Sequence, residues 1–302
     1  MRAACVDIGS NTTRLLVGDC ADGRVTGRHQ LRAFTQIGRA VAATGEIGTA
    51  KLAEVVAVVD EQVSVARAWG ASTVRIIATA AVRDATDGEV LAGRVQDVTG
   101  HHVEILSAER EARLAFTGAA GCEVPGEEGT DDLELGVVDV GGGSSELVVG
   151  CPPDRIAWWT SIPIGSSTLT ESYLRSDPPR ERELRAARAW VQDALSGLEP
   201  PRPDRAVAVG GSATSLATIA GRSLSHTAME DALALLSASP AAAVAARFAI
   251  DPERARLLPA GLLILGASAG VLGAVLAVGL GGIREGVLLE TAARHGEEDQ
   301  LG

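Results

Sequence analysis

Lysine and aromatic residues are scarce in this chain of 302 residues. Lys51 is the only lysine, and aromatic residues make up 3% of the sequence. A positively charged binding site must therefore be built from arginine, and the core must be packed with aliphatic side chains, which a hydrophobic content of 46% permits. The length suits two domains of roughly 150 residues each.

Positive charge as a whole is in deficit, with a formal net charge of -12 at pH 7. Non-specific nucleic-acid binding relies on a basic surface, so we expect no nucleic-acid partner. A polyanionic substrate would have to be held locally, by a metal ion or by clustered arginines. Arg182, Arg185 and Arg188 could form a basic track in a predicted helix. Glu181 lies four residues before Arg185, however, and this spacing equally predicts an ordinary helix surface with salt bridges.

Cysteine is limited to four residues, and no two of them form a C-x-x-C pair. This pattern indicates reduced thiols in a cytoplasmic protein rather than a disulfide framework or a zinc site. The N-terminus lacks the long apolar region of a signal peptide. Residues 257–283 carry no charge and are long enough to span a bilayer. We interpret this segment as a buried helix followed by a buried strand, and we expect no membrane partner.

The strongest internal signal is a repeat. The segment DIGSNTTRLLVG begins at Asp7, and DVGGGSSELVVG begins at Asp139. Each copy joins two apolar segments through a polar, glycine-containing turn, which predicts a β-hairpin. Helices and strands alternate after both hairpins, so the pattern predicts a duplicated α/β fold. The polar segment 123–132 is the predicted linker, which places the domains at residues 1–125 and 126–302.

The two hairpin turns are candidate phosphate-binding loops. Glycine lets the backbone approach an anion, and hydroxyl and amide side chains add donors. The alternative is an ordinary turn, but two matched copies favour phosphate binding. The candidate residues are Gly9, Ser10, Asn11, Thr12, Gly141, Gly142, Gly143, Ser144 and Ser145. Asp7 and Asp139 would repel phosphate directly, so they more plausibly bind Mg²⁺ or its water. Glu146 is either linked to the metal or a strand residue that faces solvent.

A third glycine turn follows the predicted strand 206–209 and opens a helix, an arrangement that suits an anion. Gly211 and Ser212 are the candidate phosphate ligands there. The alternative is that Ser212 or Thr214 caps the helix. The sequence contains neither G-x-x-x-x-G-K-[ST] nor H-E-x-x-H, which excludes a P-loop and a zincin site.

Six segments, in order, resemble the exopolyphosphatase and guanosine pentaphosphate phosphohydrolase family of the sugar kinase and actin-like superfamily. They are DIGSNTTRLL, TAAVRDATDGEV, LSAEREARLAFTGA, VVDVGGGSSELVVG, VGGSATSLAT and IREGVLLE. The resemblance implies an α/β fold of two duplicated actin-like (ribonuclease H-like) domains with an active-site cleft between them. It also implies a short form without the C-terminal HD-type domain of longer relatives. Asp87 and Ala108 depart from the usual Asn and Gly of the family.

The resemblance implies that Glu111 is the catalytic glutamate and Arg83 the catalytic arginine, and it matches Asp139 and Glu146 to acidic positions of the family. Without it, Glu111 would read as a solvated helix carboxylate, and Arg83 as a surface arginine paired with Asp84 or Asp87. The implied activity is magnesium-dependent hydrolysis of inorganic polyphosphate. The alternatives are hydrolysis of guanosine pentaphosphate (pppGpp) and an actin-like nucleotide-binding protein without hydrolase activity. A homodimer is one assembly compatible with the sequence.

Overall fold

The computed structural model describes residues 1–21, 23–122 and 133–301. It divides the chain into two compact units, of which the first comprises Met1–Cys122 and Gly281–Gly302 and the second Glu123–Leu280. The predicted linker at 123–132 lies outside the described residues.

The first unit is built on a five-stranded sheet with strand order β3-β2-β1-β4-β5. Its strands are β1 (Arg2–Ile8), β2 (Thr13–Ala21), β3 (Arg24–Ala33), β4 (Thr73–Ala78) and β5 (Val103–Ile105). Its helices are α1 (Ile37–Thr44), α2 (Thr49–Ala68), α3 (Ala80–Arg83), α4 (Gly88–Thr99), α5 (Ala108–Ala120) and α12 (Ile283–Leu301).

The second unit is built on a six-stranded sheet with strand order β10-β11-β9-β6-β7-β8. Its strands are β6 (Leu135–Val140), β7 (Ser145–Cys151), β8 (Arg155–Ile162), β9 (Arg205–Val209), β10 (Ser223–Leu224) and β11 (Leu276–Val278). Its helices are α6 (Ser166–Tyr173), α7 (Glu181–Ala194), α8 (Gly210–Ala220), α9 (His226–Ala238), α10 (Ala241–Phe248) and α11 (Pro252–Leu272).

The two sheets confirm the predicted duplication. In each sheet the first three strands are antiparallel and begin with the repeat hairpin, and a later strand, β4 or β9, lies parallel to the first strand. Asp7 pairs with Arg14 across its hairpin, and Asp139 pairs with Glu146. This is the actin-like α/β topology. Since ligands of such sheets bind outside the carboxyl ends of the parallel strands, this edge of each unit is where a site is expected.

The C-terminal segment corrects the expected domain division, because residues 281–302 belong to the first unit rather than to the second. The reason is a backbone contact between α5 and α12. A Cβ added to Gly118 would lie 1.9 Å from the carbonyl oxygen of Gly282, and one added to Gly286 would lie 2.0 Å from that of Leu114. No larger residue fits either position without movement of a helix.

Most of the uncharged segment is buried in the second unit as a helix followed by a strand, as expected. Helix α11 begins at Pro252, before the uncharged segment starts, because Asp251 caps it by accepting a hydrogen bond from the backbone N–H of Glu253. The helix is long and apolar enough to cross a membrane, with a mean hydropathy of 1.7 over its candidate window. In the structure, 67% of that window is buried inside the protein, and the strand Leu276–Val278 follows it.

An ion-pair network connects α12 to the rest of the first unit. Arg75 Nη1 donates to Glu290 Oε2 at 2.6 Å, and Arg110 Nη2 donates to Glu290 Oε1 at 2.6 Å. Glu104 pairs with both arginines, at 3.4 Å from Arg110 Nε. Burial acts to raise the pKa of Glu290, but the hydrogen bonds from Arg110 and Arg75 outweigh it and hold that pKa below the ordinary glutamate value.

This lowered pKa predicts how Glu290 affects acid stability. The stabilisation by an ionised Glu290 is complete above the unfolded-state pKa and is lost as pH falls through the lower folded-state pKa. We expect Glu290→Gln to be less stable than wild type at pH 7, and the gap to narrow below about pH 4.3. Urea unfolding of both proteins along a pH series measures this. A gap that stays constant into acid would show that the charge of Glu290 contributes nothing.

Candidate active site

Glu111 and Arg83 are in contact at the carboxyl edge of the first sheet. Arg83 ends α3, which follows β4, and Glu111 lies in the first turn of α5, which follows β5. Arg83 Nη1 donates to Glu111 Oε1 and, at 2.6 Å, to the carbonyl oxygen of Leu106. Glu111 is 3% exposed. The structure therefore brings together the two residues that the family resemblance implied as catalytic.

The solvated alternative is wrong for Glu111, whereas the alternative pair of Arg83 with Asp84 is present beside the contact with Glu111. A solvated helix carboxylate is incompatible with the burial of Glu111. Asp84 Oδ1 lies 3.7 Å from Arg83 Nε, a long contact beside the one with Glu111. Asp87 accepts the backbone N–H groups of Ile47 and Gly48 at 2.8 and 2.9 Å. Asp87 therefore secures the start of α2.

Asp7 ends the first repeat strand with an oxygen available to a ligand. Its Oδ1 is buried and makes no hydrogen bond to any part of the chain that the structure describes. Burial raises the pKa of Asp7, while Arg284 and Arg14 act in the opposite direction. A buried, unpartnered carboxylate oxygen beside a glycine turn fits a hard cation such as Mg²⁺.

Glu146 and Asp139 are the other two predicted metal ligands. Glu146 is buried, and Asp139 lies close to a glycine turn. Glu146 is 4% exposed and accepts a hydrogen bond from Ser161 Oγ at 2.8 Å, so it does not face solvent. A Cβ added to Gly210 would lie 2.5 Å from Asp139 Oδ1, which places Asp139 beside the third glycine turn. Within residues 1–21, 23–122 and 133–301 no three His, Cys, Asp or Glu side chains form a cluster.

The two repeat turns have the same backbone geometry. The N–H of Gly9 donates to the carbonyl oxygen of Thr12, and that of Gly141 donates to the carbonyl oxygen of Ser144, both at 3.0 Å. In the first turn, Asn11 Nδ2 is a buried donor that has no partner in the described chain. Matched turns with a donor left over fit the predicted role in anion binding.

The carbonyl groups of the second loop are occupied by α6. The backbone N–H groups of Ser166 and Ser167 donate to the carbonyl oxygens of Gly141 and Gly142 at 2.9 and 3.0 Å. A Cβ added to Gly165 would lie 2.1 Å from the carbonyl carbon of Gly142. The glycine triplet therefore serves close packing against α6 as well as any ligand.

Two serines of this loop have different surroundings. Ser145 is fully buried, and its hydroxyl donates to the carbonyl oxygen of Ile164 at 2.6 Å. That bond engages the proton of the Ser145 hydroxyl, and the phosphate-binding role of Ser145 stays a prediction. Ser144 is 6% exposed at the turn itself and remains a candidate.

Helix α8, which begins at the third glycine turn, has no side-chain N-cap hydrogen bond. Val209 occupies the cap position of α8 and makes no capping side-chain bond. Thr214 Oγ1 donates back to the carbonyl oxygens of Gly210 and Gly211 at 3.1 and 3.2 Å. Ser212 is fully buried, and its hydroxyl has no hydrogen-bond partner in the described chain. The capping alternative is therefore wrong for both Ser212 and Thr214.

Sequence reasoning missed three charged residues near these turns. Arg254, in the first turn of α11, is 6% exposed, and a Cβ added to Gly211 would lie 2.6 Å from its Nη2. Arg284 and Glu285, in the first turn of α12, are 8% and 5% exposed. Glu285 accepts the N–H of Gly282 at 3.0 Å. Arg284 and Glu285 stand in the segment IREGVLLE of the family resemblance, and Arg254 lies shortly before the long uncharged segment, but neither signal gave these residues a role.

The chain is similar to known proteins over most of its length. The profile of the Ppx/GppA phosphatase family matches residues 17–295. Exopolyphosphatase 1 of Mycobacterium tuberculosis is 30% identical, over 89% of this chain and 81% of its own length. A guanosine-5'-triphosphate,3'-diphosphate pyrophosphatase of Photobacterium profundum is 35% identical, over 43% of this chain and 24% of its own length.

A solved structure extends the agreement to the fold. The crystal structure of the Aquifex aeolicus member of the Ppx/GppA family superposes with a TM-score of 0.81 and 28% identity, and it covers 98% of both chains. The duplicated hairpins, the buried glutamate and this match over most of the chain lead to one conclusion: the chain belongs to the Ppx/GppA phosphatase family.

Proposed function

We propose that this protein is an exopolyphosphatase, which hydrolyses the terminal phosphoanhydride bond of inorganic polyphosphate and releases orthophosphate. The observation that carries the proposal is the buried contact between Glu111 and Arg83 at the edge of a sheet whose first hairpin presents a glycine turn. The similarity to Exopolyphosphatase 1 of Mycobacterium tuberculosis supports polyphosphate as the substrate.

The chemistry of this reaction depends mainly on positioning and charge neutralisation. Glu111 orients a water molecule and accepts its proton as the water oxygen bonds to the terminal phosphorus. The bridging P–O bond breaks, and its electron pair stays on the oxygen of the shortened chain. Arg83 offsets negative charge on the phosphoryl oxygens while it holds the Glu111 carboxylate in place.

The loops supply the remaining contacts. In the first unit, the backbone N–H groups of its glycine turn and Asn11 are the candidate phosphate donors, and Asp7 is the candidate ligand of Mg²⁺. In the second unit, the candidate donors are the glycine turns and Ser212, and the candidate Mg²⁺ ligands are Asp139 and Glu146. A bound ion would neutralise charge on the phosphates. We assign no role in substrate binding to the arginines of α7. Arg188 Nη2 lies 3.2 Å from Glu230 Oε1, and Arg185 pairs with Glu181, as the salt-bridged alternative predicts.

We expect Arg83→Lys to lower kcat/KM for polyphosphate by about 10- to 10²-fold. Loss of a transition-state donor costs about 10²–10³ in rate, and lysine keeps the charge but not the planar fork. Arg113→Lys is the matched control, since Arg113 is an arginine of α5 whose pair with Glu109 is exposed. Steady-state phosphate release measures both variants. Equal kinetics for Arg83→Lys and the control would return Arg83 to a structural role.

A second candidate substrate is pppGpp. The partial match to the Photobacterium profundum enzyme is the observation that favours it, and both substrates end in a phosphoanhydride. A comparison of kcat/KM for polyphosphate and pppGpp, under the same conditions, decides between them. We expect the higher value for polyphosphate, and a higher value for pppGpp would reverse the order of the two proposals.

A further inference from the structure

Helices α5 and α12 meet along matching stripes of residues. On α5, Arg110, Leu114 and Gly118 are spaced by four, so they lie on one face. The residues that face this stripe are Gly286, in the first turn of α12, and Gly282, directly before the helix. Gly282 contacts Gly118, and Gly286 contacts Leu114.

The next position on each stripe is charged. Arg110 lies one turn before Leu114, and Glu290 lies one turn after Gly286. These two residues face each other, with Arg110 Nη2 at 2.6 Å from Glu290 Oε1. The two helices therefore run antiparallel. Gly118 and Gly286 allow their close approach, and the Arg110–Glu290 ion pair is the next contact along the interface.

The Arg110–Glu290 pair is anchored on several sides. Arg75 of β4 binds Glu290 at 2.6 Å, and Glu104 of β5 lies 3.4 Å from Arg110 Nε. Ser107 is the N-cap of α5, and its Oγ accepts a hydrogen bond from the backbone N–H of Arg110 at 3.2 Å. Both the backbone and the side chain of Arg110 are therefore fixed.

Arg110 directly precedes Glu111, and neighbouring residues of a helix point about 100° apart. Arg110 holds the first turn of α5 from the side of α12, while Arg83 holds Glu111 from another direction. Rotation or shift of this turn would move the Glu111 carboxylate with it. A displacement of about 1 Å of a reacting group can cost about 10²-fold in rate.

We propose that Arg110 and Glu290 are positioning residues for Glu111, which act by fixing the first turn of α5 through the contact with α12. This inference rests on the proposed function, because it assigns the two residues to the reaction of Glu111. Neither residue needs to touch the substrate.

The test is a double-mutant cycle measured by phosphate release from polyphosphate. Arg110→Gln and Glu290→Gln should each lower kcat by about tenfold or more with KM within about twofold, since positioning affects turnover more than binding. In the Glu111→Gln background each should add less than about twofold, because residues that act as a unit are non-additive. Arg110→Lys should recover part of the loss. Arg113→Gln, which removes an exposed pair on the same helix, should stay close to wild type.

Amide exchange of Glu111 and Ala112 is the second measurement and needs no substrate. Exchange should be faster in Arg110→Gln than in Arg113→Gln. An active wild type in which Arg110→Gln matches Arg113→Gln in kcat and in exchange overturns this inference alone. Full additivity with Glu111→Gln also overturns it, because the pair would then act elsewhere. A folded wild type without phosphate release overturns the proposed function and this inference with it.

Discussion

Replacing Glu111 with glutamine is expected to lower kcat for phosphate release by about 10²- to 10⁴-fold, the usual worth of a general base. Glutamine keeps the shape and a hydrogen bond to Arg83 but cannot accept a proton from water. KM should change little, because the proposed mechanism assigns phosphate binding to the loops and not to Glu111. Steady-state kinetics on polyphosphate, together with thermal unfolding of both proteins, measures the effect.

Glu109→Gln is the matched control for this experiment. Glu109 lies in the same turn of α5, but its side chain is exposed and paired with Arg113 at 3.0 Å. We expect this variant to keep nearly full activity. If Glu111→Gln retained most of its activity as well, Glu111 would be removed from the mechanism.

Removal of divalent cations is expected to abolish hydrolysis, and added Mg²⁺ to restore it. The buried and unpartnered Oδ1 of Asp7 is the structural reason, since it fits an oxygen ligand for a hard cation. Chelation by EDTA followed by a magnesium titration measures the requirement. Full activity in metal-free buffer would contradict it.

The variant Asp7→Asn tests whether Asp7 itself binds the metal ion, which a metal requirement for activity alone does not show. We expect weaker binding of Mn²⁺, followed by electron paramagnetic resonance, as well as a large loss of activity. Asp19→Asn is the control, because Asp19 lies on β2 in an exposed pair with Arg2 at 2.7 Å. Equal Mn²⁺ binding by the two variants would exclude Asp7 as a ligand.

Local patterns predicted the two hairpins well, because alternating apolar segments around a glycine turn determine a hairpin over a dozen residues. The repeat then predicted that Asp7 and Asp139 occupy equivalent strand ends, which the two sheets confirm. The contact between Glu111 and Arg83 was not readable from spacing. It followed from the family resemblance, since α3 and α5 bring the residues together only through the order of β4 and β5.

Long-range packing accounts for what was missed. Arg254 lies beside Gly211, and Arg284 lies 3.5 Å from the carbonyl oxygen of Leu15. Both neighbours are far away in the sequence, so the segments around the two arginines did not indicate their burial. The return of α12 to the first unit is a matter of topology, and a division of the chain at one linker could not show it. Gly282 and Gly286 are spaced by four, as are Arg110, Leu114 and Gly118 on the helix that they face. This spacing alone did not indicate that the two helices contact each other.

The most direct test of the account is phosphate release by the purified wild-type protein from polyphosphate, pppGpp and ATP, each with magnesium and with EDTA. We predict magnesium-dependent release of orthophosphate from polyphosphate, with the lowest rate on ATP. Binding of nucleotide without phosphate release from any of the three would contradict the hydrolase assignment and favour an actin-like nucleotide-binding protein.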